Sequence, residues 1–347
     1  MLFDSNAMTW FARRIAAYEK MRFDQEPRRA RLPFSWGLEH VGGPATDSAE
    51  EARAFLEKWS RETMAGSEAW YEAGSADDYD LDDENVLTFS SAIVSSWPEN
   101  NRVHAQFFPA RPDGAAVVVL AQWNSRWEEQ QAICRYLNFL GITTVKLSLP
   151  YHDRRAVPGH PRADYLVAPN IGLTLQANRQ AVLDVKRTLR WLESRGYTRL
   201  GILGTSIGSC LAFLAMVHEP ALRAGAFLHV STYFADVVAR GLTTSNVWEF
   251  LEPHVSLEEL RRYWSPISPF PYIPRLYGSS RRILAITAEY DPTFPFELTQ
   301  EFLGAVRKDG IVPETMNLPC GHYSLGVAPF KYAVGYRFGT FLRRVLS

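Results

Sequence analysis

The run "AAVVVLAQ", residues 115–122, constrains the fold more than any other stretch. It is apolar through Ala121, with three successive valines and no alternation of polar and apolar positions. A strand with one solvated face shows every second side chain to water, so an unbroken apolar strand belongs in a parallel sheet covered on both faces. Parallel neighbours need crossover connections, usually helices. The chain supplies them in turn: helix "RWEEQQAICRYLNFLG", strand "ITTVKLSLP", helix "IGLTLQANRQAVLDVKRTLRWLESRG", strand "RLGILG", helix "SIGSCLAFLAMVHE" and strand "AGAFLHV". Later come "RILAITAEYD", "PFELTQEFLGAVRKDG", "IVPETMNLP" and "FKYAVGYRFGTFLRRVLS", again alternating strand and helix. Two earlier strands, "VLTFSSAIVSS" and "NRVHAQFFPA", are joined by the turn "WPEN". The predicted class is α/β, a mostly parallel, doubly wound sheet with helices on both faces.

Ahead of the sheet, residues 1–84 read as a helical extension and 85–347 as the main domain. "TWFARRIAAYEKMRFDQEP" has helical apolar spacing and stops at Pro27. A second helix starts from an N-cap at Asp47 or Ser48, with Glu50 and Glu51 in its first turn. "ADDYDLDDEN" reads as a solvated acidic linker. Three roles are open to this extension: covering a sheet face, forming the arm of a homodimer, or gating a site. A second irregularity lies at about 232–280, too long for a loop, with the helix-like "VSLEELRRYW" and the proline-rich "SPISPFPYIPR". It carries Tyr233, Phe234, Trp248, Phe250, Trp264, Phe270 and Tyr272, which suit either a lid over an apolar substrate or plain packing onto the sheet.

With 37 basic and 38 acidic residues and a net charge of −1, the chain gives no electrostatic reason to expect nucleic acid or an anionic membrane as partner. No 18-residue apolar run predicts a membrane span, and the N-terminus lacks the basic and apolar regions of a secretory signal. The three cysteines, Cys134, Cys210 and Cys320, are widely spaced and form no metal pattern; a reducing, cytoplasmic setting is the simplest expectation.

Chemistry on an open α/β sheet collects at the carboxyl ends of the strands. After "GIL" stands Gly204-Thr205-Ser206-Ile207-Gly208. A serine between glycines, on a turn from strand to helix, suits a nucleophile held in a strained conformation at a helix N-terminus. After "RILAITAEY" stands Asp291, a triad acid in the right place, with Glu289 as its rival. After "ETMNLPC" stands Gly321-His322, the expected base; Cys320 beside it reads as a packing residue. The order is Ser, Asp, His, with separations of 85 and 31 residues. Of two oxyanion donors, one is expected at the Ile207 N–H and the other at Trp123 or Asn124 in "AQWNSRW". "LPYHDRR" follows another strand, so Tyr151, His152 and Arg154, with Asp153 and Arg155, are candidates to touch a polar substrate group; the alternative is a solvated charged loop.

"GTSIG", "AEYDPTFP" and "CGHYSLG" together resemble the nucleophile elbow, acid loop and histidine loop of the α/β-hydrolase superfamily, over roughly residues 85–347. The resemblance implies a sheet of about eight strands with only the second antiparallel. It implies a serine hydrolase that needs neither metal nor cofactor. Within the superfamily, "LSLPYHDRR" behind a long helical extension is similar to the branch related to α/β-hydrolase domain-containing protein 18. "AQWN" departs from the His-Gly-Gly-Gly of the hormone-sensitive-lipase type. The expected reaction is hydrolysis of a small-molecule carboxylic ester through an acyl-enzyme. A peptidase or acyltransferase with the same triad is the alternative, and a ligand-binding protein without turnover a further one.

Overall fold

The computed structural model describes residues 5–27, 29–110, 114–160 and 162–347. Its strands are β1 (Asp80–Leu81), β2 (Val86–Ser90), β3 (Arg102–Phe108), β4 (Ala115–Leu120), β5 (Thr143–Leu147), β6 (Arg199–Thr205), β7 (Leu222–Leu228), β8 (Arg282–Ala288) and β9 (Glu314–Leu318). They form one sheet in the order β1-β2-β3-β5-β4-β6-β7-β8-β9. From β5 to β9 every pairing is parallel, whereas β3 runs antiparallel to both β2 and β5. The eight strands β2–β9 therefore match the expected pattern. The ninth, β1, pairs antiparallel with β2 inside the stretch read as a solvated linker. That stretch is stitched down: the Asp78 carboxylate accepts from the Ser90 N–H (3.0 Å) and hydroxyl (2.7 Å) and pairs with Arg102.

Both faces of the sheet are covered, as "AAVVVLAQ" requires. Along β4, Ala116, Val118 and Leu120 enter one apolar cluster with helices α5 (Ile171–Ser194) and α6 (Ile207–His218). The alternate residues Ala115, Val117 and Val119 enter a second cluster with helices packed on the other face, at Gln131–Phe139 and Phe330–Leu346. Period-two alternation sends neighbouring side chains into opposite layers, so only an all-apolar strand fits between them.

Two elements are shorter than the sequence suggests. The strand expected over 86–96 ends at Ser90, because Ser91 N–H turns to the Asn101 carbonyl (2.8 Å) and Ser95 N–H to the Asn101 side chain (2.7 Å). Serine and asparagine side chains offer the backbone partners that compete with a ladder. The helix expected from Arg126 begins at Gln131, after Gln130 adopts a φ of 61°. The released segment 121–130 becomes a loop beside the site.

Before the sheet lie α1 (Ser5–Asp24), α2 (Ala49–Ala65) and α3 (Ser67–Trp70). Ser48 is the α2 N-cap, accepting from the Glu51 N–H at 3.3 Å. The insertion contains α7 (Phe234–Arg240), α8 (Ser245–Leu251) and α9 (Leu257–Tyr263), the last opened by a capping box between Ser256 and Glu259. Extension and insertion pack on one another: Ser60 Oγ donates to the Tyr263 carbonyl (3.0 Å), Tyr71 OH to the Pro266 carbonyl (2.8 Å), and Arg53 pairs with Glu259 (2.9 Å). Leu38, Leu56 and Tyr71 share the apolar cluster of α5 and α6, so much of the extension shares the sheet's core.

Candidate active site

Ser206 follows β6 at φ 57°, ψ −126°, a left-handed value that few non-glycine residues adopt. The turn that holds it is crowded on both sides. A Cβ on Gly204 would lie 2.1 Å from the Gly208 carbonyl oxygen, and one on Gly208 would lie 2.5 Å from those of Leu120 and Ala121. Both glycines are therefore demanded by space. The Ser206 N–H donates to the Leu228 carbonyl (2.9 Å), and the single Ser209 hydroxyl proton lies between the carbonyls of Ser206 (2.7 Å from Oγ) and His229 (2.8 Å). The Ser206 side chain caps nothing in α6, which leaves its hydroxyl at the helix N-terminus for chemistry.

Asp291 follows β8 and is buried. Its Oδ1 accepts from the N–H groups of Thr293 (2.7 Å) and Phe294 (2.8 Å), and its Oδ2 faces His322 Nδ1 at 2.9 Å. Glu289 takes no part in this contact. Burial resists the charge on Asp291, but the two imidazoles beside it hold its carboxyl well below the usual carboxylate range. Burial is the largest single influence on His322 and disfavours its charge, but the Asp291 carboxylate, with Glu19 and Glu26 behind it, raises the imidazole pKa above its usual value. Phe294 lies flat beside His322, with ring centroids 5.6 Å apart.

A third group, not singled out in the sequence, completes this cluster. His229 directly follows β7 at a φ of 63°, and its Nδ1 approaches the same Asp291 oxygen at 2.7 Å without aligning as a hydrogen bond. Burial, then the neighbouring His322, lower its pKa, against the pull of Asp291. The clue was available: a histidine at the carboxyl end of a central strand, hidden because the apolar run "AGAFLHV" absorbed it. His229, Asp291 and His322 place ligand-type atoms within 4.8 Å of one another. Ligands around tetrahedral zinc, with bonds of ~2.0 Å, sit ~3.3 Å apart. Both nitrogens are closer than that to the one oxygen, at 2.7 and 2.9 Å, which is the spacing of direct contact with the carboxylate.

The loop after β4 separates the two oxyanion candidates. The Asn124 N–H is committed: it donates to His152 Nε2 at 2.8 Å, while His152 Nδ1 lies 2.9 Å from the Pro150 carbonyl. A ring accepting at Nε2 and donating at Nδ1 is neutral, and burial lowers its pKa to about 4. Asn124 Oδ1 accepts from the Ala163 N–H (2.8 Å), and Trp123 Nε1 donates to the Ala163 carbonyl (2.9 Å), so Ala163 anchors both side chains.

The residues expected to touch substrate lie elsewhere. Tyr151 is buried between Trp97 and Tyr165, and His152 is the buried clamp just described. Arg154 is exposed and lies over the Trp127 ring at 4.5 Å. Arg155 is fully buried, paired with Asp184 at 2.9 Å and donating to the carbonyls of Asn100 and Ser148. The "YHDRR" segment is thus largely an internal brace. A buried arginine needs partners for its donors and its charge, and those carbonyls together with the Asp184 carboxylate supply them.

A narrow cavity opens at Ser206. Trp123 and Ile207 line it from the sheet side, Phe234 and Val238 from the insertion, and Thr293 and Phe294 from the acid loop. No charged side chain lines it. Its free volume is about 40 Å³, room for about three waters.

A family model described as the prolyl oligopeptidase family matches residues 173–325, a stretch that contains Ser206, His229, Asp291 and His322. No curated protein matches the chain. Among solved structures, the chain is similar to an esterase from Pyrococcus furiosus at 16% identity, covering 78% of this chain and 92% of that one, with a TM-score of 0.55. It is similar to a carboxyl esterase from Bacillus coagulans at 13% identity, covering 76% and 98%, with a TM-score of 0.56. It is also similar to a puromycin-hydrolyzing peptidase from Mycobacterium tuberculosis at 16% identity, covering 75% of this chain and 40% of that one, with a TM-score of 0.56. The fold is that of the α/β-hydrolases. The narrower likeness to the branch of domain-containing protein 18 finds no support in these matches.

Proposed function

We propose that this chain is a serine hydrolase that cleaves small, uncharged carboxylic esters through Ser206, His322 and Asp291. With His322 Nδ1 donating to Asp291, the free Nε2 is the base that takes the Ser206 proton as Oγ attacks the ester carbonyl. The same nitrogen then protonates the departing alcohol, and water repeats the cycle on the acyl-enzyme. Ile207 opens α6, so its N–H is one of the helix's orphan donors and serves the oxyanion. Since Asn124 N–H is held by His152, the second donor in this proposal is the Trp123 N–H.

The observation that carries the reading is the uncharged, nearly filled cavity at Ser206. A peptide's free amino end or acidic side chain would need a counter-charge there, and the lining supplies none. Among its polar features are the buried hydroxyls of Ser231 and Thr293, which have no partner among the described residues and suit a neutral group. The match to a peptidase family keeps amide cleavage as the second reading. A setting that preserves thiols suits the three buried free cysteines, and no helix among the described residues is long and apolar enough to cross a membrane.

Turnover of p-nitrophenyl acetate, p-nitrophenyl octanoate and aminoacyl p-nitroanilides tests the proposal, with labelling by a fluorophosphonate. Acetate is expected to be cleaved best and Ser206→Ala to be silent. Preference for the anilides would establish the second reading. Absence of labelling would show a binding protein without an activated serine.

A further inference from the structure

Among the described side chains of α1, one alone is buried, and it is the charged Glu19, at 0% exposure. Its carboxylate reaches the loop that carries His322. Oε2 accepts from the Tyr323 N–H at 2.8 Å, and Oε1 accepts from the Ser324 N–H at 2.9 Å and the Ser324 hydroxyl at 2.7 Å. The Ser324 hydroxyl in turn accepts from the Gly321 N–H at 2.7 Å. Glu19 also explains the glycine before the histidine. A Cβ on Gly321 would lie 2.5 Å from the Glu19 side chain, whereas its own backbone has no left-handed φ to require glycine. Lower on the same helix, Phe11 meets Tyr290 edge-on at 6.5 Å, so α1 touches the acid loop as well. Beyond its end, Glu26 accepts from Tyr323 OH at 2.6 Å and pairs with Arg29.

We propose that Glu19 is a positioning residue for His322, so that the docked N-terminal helix is a working part of the catalytic centre. The inference rests on the triad reading. A carboxylate buried for stability alone would be an expensive anchor, since a buried charge must be fully paired before it breaks even. Here the pairing is spent on two successive backbone N–H groups and one hydroxyl directly after His322. Those contacts fix the backbone from which the imidazole projects, and misplacing a catalytic group by about 1 Å costs about a hundredfold in rate.

The charge acts as well as the shape. His322 faces Asp291 and His229 from the sheet, Glu19 and Glu26 from the segment around α1, and Tyr323 on its own loop, where the buried Cys320 feels Asp291 and Glu19 as well. Burial opposes its charge; Asp291, then Glu19 and then Glu26, raise its pKa.

The test compares the unaltered chain with Glu19→Gln and with Lys20→Ala, an exposed position on the same helix. Glu19→Gln keeps the size and an acceptor but loses the charge and one acceptor. The expected result is a fall in kcat of about tenfold to a hundredfold with KM little changed, and an acid limb of kcat/KM displaced to lower pH. Fluorophosphonate labelling of Ser206 slows by the same factor, and Lys20→Ala matches the unaltered chain. Rates are normalised to folded protein by near-UV circular dichroism. Unchanged kcat and an unmoved acid limb in folded Glu19→Gln would overturn the inference. If Ser206→Ala is silent while Glu19→Gln is normal, only this inference fails. If Ser206→Ala keeps its activity, the triad reading fails and takes this one with it.

Discussion

His229 and His322 share one oxygen of Asp291, approaching it at 2.7 and 2.9 Å with their rings 4.4 Å apart. Only His322 aligns as a hydrogen bond. His229→Asn is expected to lower kcat about tenfold, well short of the loss in Asp291→Ala, about ten-thousandfold. Steady-state kinetics on a p-nitrophenyl ester decides it. Equal losses in the two variants would make His229 a full partner of the triad.

The elbow predicts a steric failure. Gly208→Ala drives a methyl into two carbonyl oxygens at 2.5 Å, neither of which can swing aside. Loss of activity together with about 1–3 kcal/mol of stability is expected, measured by urea unfolding. A fully active, stable Gly208→Ala would mean that β4 and α6 sit farther apart than described.

His152 predicts a link between a loop and the oxyanion. His152→Phe leaves the Asn124 N–H without its acceptor, at a cost of about 1–3 kcal/mol if that group stays buried. Because Trp123 adjoins Asn124, kcat falls while KM moves little. Arg154→Ala, by contrast, changes neither stability nor rate beyond error, since that side chain covers only Trp127 at the surface.

Arg155 predicts the opposite pattern from His152. Arg155→Met strands Asp184 in the core, where burial already raises its pKa. A destabilisation of about 3–5 kcal/mol is expected, with normal kcat per folded molecule at permissive temperature. Calorimetry alongside active-site titration separates the two quantities.

The acid limb of the rate profile follows from His322. The base must be neutral to accept a proton, and its pKa is raised, so kcat/KM falls as pH drops through a value above the ordinary 6.5. Stability has its own acid limb. His152 has a folded pKa near 4, below the unfolded value of about 6.5. Its contribution is complete above pH ~6.5 and is lost progressively as pH falls toward 4. Rate loss is therefore expected to precede unfolding on acidification. Coincident transitions by activity and circular dichroism would refute this.

The three residues proposed as a triad were legible because each directly follows an apolar run, and strand ends on such a sheet face one edge. His229 meets the same criterion yet was absorbed into its strand, which ends one residue earlier at Leu228. Residues 121–130 and 151–155 were not legible, because their roles depend on contacts between loops: His152 with Asn124, and Arg155 with a helix that starts at Ile171. Polarity suggested solvent or substrate; burial reversed it. Glu19 left no local trace at all, since its partners lie 304 and 305 positions away.

That last separation bears on how such a chain comes to life. Glu19 is translated long before the loop it holds, its partners there lying 304 and 305 positions further on, so the contact between them closes only when the whole stretch between them exists. Ser206, Asp291 and the sheet can all assemble without that contact, but the proposed base stays unseated until α1 and the His322 loop meet. On the proposed reading, full hydrolytic power then arrives late in folding, with the docking of α1.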